Sequence, residues 1–261
     1  MTTVLLAAAI SGVTAPPSPQ LYRSPWALAD APELYRHASP TTCTHETTHG
    51  VNSMLRQRYG GACFYIGQRR FFHVAKLEQP TLERIALAVR YRGRTATLYL
   101  DRARYPLTPQ RMANGVYLEG HEHDPLHLFN ELCAYTNASR IPGSNRSSLS
   151  NALELAHYAA TVVEQSPAGY RDRPELARIW CWFARQLEPL VQRAERTGQC
   201  FEPRQRGWLS QLRRDYLRVR VIAEQVQQRT AQRPPPNPAR RAAPPPQRYR
   251  ATVPARRPGS T

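Results

Sequence analysis

SPTTCTHETTHGVNSMLRQRYGG, running from Ser39 to Gly61, decides how the rest of the chain is read. Ser39 is a good helix cap, and Pro40 suits the first helical position, where a missing N–H costs nothing. Gly60-Gly61 is a stop signal, so a helix is expected over residues 40–59. Val51, Leu55 and Tyr59, with Met54 beside them, form its apolar stripe. Thr41, Thr42, Thr44, Thr47 and Thr48 are poor helix formers, so tertiary contacts or a metal must hold it. His45 and His49 lie one turn apart on one face and can bind one ion together. Glu46 sits about 100° round the axis, where it reaches a metal-bound water and not the metal. Two ligands and a base are what zinc hydrolysis needs: zinc lowers the pKa of its water toward about 7, and the carboxylate takes the proton. The plainer alternative is a pair of polar histidines on a half-exposed helix.

A third ligand should come from a second helix. The stretch Glu119–Tyr135 (EGHEHDPLHLFNELCAY) is the other dense cluster of metal-capable side chains. Asp124-Pro125 marks a capped start, and a helix over 125–137 is expected. Glu131 lies between Leu128 and Leu132, an apolar setting in which a carboxylate is costly unless paired or metal-bound. A buried ion pair with an arginine would also satisfy it. His127, one turn earlier, is a ligand, a supporting partner or an oxyanion-stabilising group. Tyr135, one turn later, is a candidate oxyanion donor, and Asn130 a candidate for orienting a ligand through a hydrogen bond. His121 and His123 are expected on the preceding loop. His157, on a later helix, is the reserve ligand.

These two motifs resemble the gluzincin type of zinc metallopeptidase, which pairs HExxH on one helix with a downstream glutamate, often within an Asn-Glu pair. His45-Glu46-Thr47-Thr48-His49 matches the first and Asn130-Glu131 the second, 82 residues beyond His49. The resemblance covers these short motifs alone. It implies Zn2+ held by His45, His49 and Glu131, with Glu46 as general base and a peptide or protein as substrate. The metzincin continuation HxxGxxH is absent. Tyr135 stands where some gluzincins carry an acidic residue.

Around the motifs the reading is α+β and mostly helical. Residues 62–75 read as a β-hairpin or two short strands, inserted between the two ligand helices. Thr81–Val89 reads as a helix and Thr95–Leu100 (TATLYL) as a strand, by alternation. Three amphipathic helices follow, near 148–165, 174–197 and 203–230, and build a C-terminal bundle. Trp180, Phe183, Leu187, Leu190 and Val191 stripe the middle one. Residues 1–38 form a proline-containing, irregular lead-in, 39–231 a single zincin-like domain, and 232–261 a Pro/Arg-rich tail expected to be disordered.

Composition narrows little else. The formal charge is +17, and Arg229–Thr261 holds eight arginines and no acid, leaving +9 on residues 1–228. A basic tail attracts any polyanion, so the alternatives to an enzyme are a non-catalytic metal-binding protein or a nucleic-acid- or surface-binding protein acting through that tail. Five cysteines without CxxC spacing argue against a cysteine zinc site. Residues 1–15 contain an apolar, signal-like run, but no Lys or Arg precedes it. The missing basic n-region tilts the expectation toward a cytoplasmic and not a secreted chain. No apolar run reaches the roughly 18–20 residues of a membrane span.

Overall fold

A computed structural model describes residues 15–31, 37–102, 124–142, 146–197 and 203–231. The signal-like run up to Thr14, His121, His123 and the tail from Gln232 lie outside the described residues. The chain divides into a unit Met1–Val226 and a second, Gln227–Thr261, and the first holds every element of the candidate site.

The architecture is α+β and mostly helical, with six α-helices and one three-stranded antiparallel sheet among the described residues. Helix α1 spans Pro40–Tyr59. Ser39 Oγ accepts the Thr42 N–H at 3.2 Å, and Pro40 occupies the first turn. Thr44, Thr47 and Thr48 turn their hydroxyls back onto the carbonyls of Pro40, Cys43 and Thr44, which satisfies them locally without adding helix stability. Gly60 ends the helix with φ +71°, and Gly61 follows at φ +59°. A side chain at Gly61 would collide with the Val74 carbonyl, so only glycine lets the chain turn there into the sheet.

Strands β2 (Ala62–Gly67) and β3 (Arg70–Val74) form the expected hairpin. Its two-residue turn, Gln68-Arg69, has positive φ at both positions, the twist that suits tight hairpins. The lead-in is less irregular than expected. Tyr22–Arg23 forms a short strand, β1, that pairs with Phe71 and Arg70 of β3. The sheet order is β1-β3-β2. Alternation then sends Cys63, Tyr65 and Phe71 to one face, where they pack on Val51 and Leu55 of α1 and on Ala31. Ala62, Phe64, Ile66, Phe72 and Val74 face the larger core with the remaining helices.

Helix α2 runs Gln79–Arg102. It contains the expected helix at 81–89 but overturns the strand at Thr95–Leu100. Propagating an existing helix adds one hydrogen bond per residue fixed, and the one intervening breaker, Gly93, costs only about 1 kcal/mol relative to Ala. Helix α3 spans His127–Ala138 and starts two residues later than expected. Asp124 is the reason. Its carboxylate pairs with Arg56 at 3.7 Å and leaves no side-chain cap on the helix. The backbone instead tightens into three-residue bonds from His127 to Asp124 and from Leu128 to Pro125.

Helices α4 (Arg146–Gln165), α5 (Arg173–Arg196) and α6 (Pro203–Ala231) lie within two residues of their expected limits. Helix α4 packs against α2, α3 and α5. Trp180 of α5 is fully buried and donates its indole N–H to the Ala156 carbonyl at 2.7 Å. His157 of α4 and Asp215 of α6 form a buried pair at 2.7 Å, and Asp215 also accepts from Gln211 and Arg218. Removing one member of such a pair strands the other in the core. Asp215→Ala is therefore expected to lower stability by about 3 kcal/mol, read as a lower urea midpoint at unchanged slope.

Candidate metal centre

The site forms where α1 and α3 cross the outer edge of β2. Tyr65 is fully buried on that edge, and among the described residues no strand pairs with its outward peptide groups. Its N–H donates to Asn52 Oδ1 of α1 at 2.6 Å. Its carbonyl accepts from Asn137 Nδ2 of α3 at 2.9 Å and from the Cys133 thiol. Asn137 also reaches Thr48 Oγ1 of α1, and Arg140 donates to both Asn137 Oδ1 and the Ile66 carbonyl. Asn52 Nδ2 donates to Asn130 Oδ1 at 2.6 Å. These bonds fix the axial register of the two helices.

In that register three side chains converge. His45 Nε2 and His49 Nε2 are 3.1 Å apart. Glu131 Oε2 is 3.6 Å from His45 Nε2, and Oε1 is 3.3 Å from His49 Nε2. Among the described residues these three form a group that could hold a metal ion, with all ligand atoms within 4.8 Å of one another. Donors about 2.0–2.1 Å from a tetrahedral ion stand about 3.3 Å from each other, close to the separations found. Glu131 Oε2 is buried and makes no hydrogen bond. A buried carboxylate oxygen left bare costs several kcal/mol in apolar surroundings, and a cation between it and the imidazoles removes that cost.

The other expected site residues take distinct places. His127 Nε2 lies 3.4 Å from Glu131 Oε1, on the flank of the carboxylate, and is not a member of the close group. Tyr135 packs its ring on His45 with centroids 4.2 Å apart. Glu46 is half-buried on α1, close enough for its charge to act on His49. Asn130 lies near enough to His49 to raise its pKa. His157, the reserve ligand, is spent on Asp215 and belongs to another part of the core.

Electrostatics separate the two histidines. Burial, then the neighbouring His49, drives His45 from 6.5 down to about 4, against the pull of Glu131. His49 is held above its ordinary value. Burial acts downward on it, but the hydrogen bond and charge of Glu131, the neighbouring Asn130 and the charge of Glu46 outweigh burial. Glu131 sits below the ordinary glutamate value, because its bond to His49 and the charges of three histidines outweigh burial. At neutral pH His45 is thus a neutral donor, and a cation bound here would compete with protonation of His49.

Asn52 and Asn137 escaped the reading of the sequence. Asn52 does carry a signal: it is polar, mid-helix, and three residues beyond His49 on the same face. Asn137 has none, since its partner is a backbone carbonyl far away in sequence.

Comparison with protein-family models, curated proteins and solved structures finds no match.

The geometry makes a direct expectation. Excess divalent transition metal should raise the melting temperature of the wild-type protein, by the equivalent of about 2.7 kcal/mol at a hundredfold excess over Kd. His49→Ala and Glu131→Ala should lose that response. A wild-type rise preserved in both variants would place the metal elsewhere.

Proposed function

We propose that this protein is a zinc-dependent hydrolase, most simply a metallopeptidase of gluzincin type, with zinc held by His45, His49 and Glu131. Glu131 is the observation that carries the reading. It comes from a different helix, 82 residues beyond His49, and stands within 3.3 and 3.6 Å of the two imidazoles with one oxygen unsatisfied. The donor set favours zinc over magnesium or calcium, which take oxygen shells. Three protein donors leave one tetrahedral position open, as in catalytic and not structural zinc sites.

Zinc at such a site supplies an activated water at neutral pH and polarises a carbonyl. The chain's own residues supply the rest. Glu46 lies one residue from His45 and so points beside the ligands and not at them. It accepts the proton of the attacking water and returns it to the leaving amine. Tyr135, against His45, and His127, beside Glu131, are the donors available to the developing oxyanion. Asn130 orients His49. The substrate class is a peptide or protein.

The position of His127 favours a second reading. If it swings onto the ion as a fourth ligand, the site closes and the protein is a non-catalytic metal-binding protein. Two variants separate the readings. Glu46→Gln should lower peptide hydrolysis by at least about 10²–10⁴-fold, because the amide cannot accept a proton, while zinc content stays at the wild-type level. His127→Ala should keep its zinc if the protein is an enzyme and lose affinity if the site is closed. Wild-type turnover by Glu46→Gln would contradict the proposed mechanism.

A further inference from the structure

We infer that the outer edge of β1 is a docking site for an extended acidic segment of a partner protein, which joins the sheet as a further strand. The order β1-β3-β2 puts this edge at the far side of the sheet from the strand edge that carries the Tyr65 clamp, and among the described residues no strand pairs with it. Docking there leaves the metal centre open and does not depend on an ion being bound. The register sets Tyr22 opposite Phe71 and Arg23 opposite Arg70, and the Ser24 N–H donates to the Arg69 carbonyl at 2.7 Å. Ser24 thus turns its N–H toward β3. By the two-residue period of extended chain, Leu21 and Arg23 turn their peptide groups outward. Leu21, Tyr22 and Arg23 are all exposed, so a peptide can reach them. With Gln68, Arg69 and Arg70 at the hairpin turn they line a shallow depression of about 600 Å³ that contains no acid.

The chemistry of the occupant follows from what this corner of the sheet tolerates. Arg23 and Arg70 stand directly opposite each other, a like-charge pair that weakens strand pairing. Gln68 and Arg69 hold φ of +51° and +52°, a left-handed conformation that long side chains rarely adopt and that tight hairpins normally give to asparagine and glycine. Each of these local costs keeps a long polar or cationic side chain at the corner. Costs concentrated in this way mark binding sites. Arg70 Nη2 donates to Gln68 Oε1 at 2.6 Å, which steadies one guanidinium. Among the described residues no carboxylate pairs with Arg23, Arg69 or Arg70. A carboxylate on an added strand beside Arg23 relieves the repulsion. Leu21, two residues from Arg23 on the same face, takes an apolar side chain of the same segment. Backbone pairing then supplies affinity, and the alternating side chains supply the choice of sequence. A nucleic acid would answer the charge but not the outward N–H and C=O groups or Leu21.

The probe is a fluorescent peptide of alternating glutamate and valine, titrated with the full chain and followed by anisotropy, alongside the melting temperature of each variant. Wild type should bind it saturably, and less tightly as salt rises. Arg23→Ser and Arg70→Ser should each bind about fivefold or more weakly. Both should melt no lower than wild type, because each removes one member of a like-charge pair. That combination separates a docking residue from one that holds the fold. Methylating the backbone nitrogens of the peptide should abolish binding, because edge pairing needs those N–H groups. No saturable binding to wild type up to about 1 mM would overturn the inference. Equal binding of the methylated peptide, or displacement by an oligothymidylate of equal charge as effective as by unlabelled peptide, would overturn it by showing a site that reads charge alone. Unchanged binding in both arginine variants would assign the peptide to the Pro/Arg-rich tail and overturn it as well. Should Arg70→Ser not fold, Arg23→Ser, in the exposed strand, carries the same expectation.

Discussion

The peptide of Tyr65 lies on the outer edge of β2, buried, with its N–H and carbonyl facing away from β3. An unsatisfied buried peptide group costs about 1–3 kcal/mol, and a strand edge without another strand beside it must find partners elsewhere. Here the partners are side chains of two helices, Asn52 from α1 and Asn137 with Cys133 from α3. Each helix is thereby pinned to the same residue of the sheet. A shift of either helix by one residue, about 1.5 Å of rise and 100° of rotation, would break this clamp. It would also carry His45 and His49 away from Glu131. The positions of the three donors follow from a hydrogen-bonding requirement of the backbone.

The same arrangement concentrates unfavourable electrostatics. Two imidazole nitrogens face each other at 3.1 Å, and a carboxylate is buried beside them. His49 and Glu131 favour each other's charged forms, one raised and the other lowered from its ordinary value, while His45 is pushed down to about 4. A cation bound there would meet the Glu131 oxygen that makes no hydrogen bond. The clamp, the packing of Val51 and Leu55 of α1, and the fit of Gly61 against β3 hold the three side chains in this costly geometry.

Much of this was legible in the sequence where the signal is local. Ser39-Pro40 and Gly60-Gly61 bracket α1, and the one-turn spacing of His45 and His49 places both on one face. The three C-terminal helices follow from their apolar periodicity. The signals failed where two local patterns competed or where partners are distant. TATLYL alternates like a strand, yet it continues a helix already running from Gln79. Asp124-Pro125 looks like a cap, but Asp124 is drawn to Arg56. Tyr22–Arg23 lacks strand character of its own and is a strand because β3 offers an edge. The two clamp asparagines are ordinary until Tyr65 is placed beside them.

X-ray absorption at the zinc K-edge of the purified, zinc-loaded protein tests the central claim most directly. The account predicts two imidazole nitrogens with oxygen donors at about 2.0–2.1 Å, four-coordinate and without sulfur. Sulfur at about 2.3 Å would assign the ion to cysteines, and an all-oxygen shell would assign it to the surface. Either result would contradict a site built from His45, His49 and Glu131.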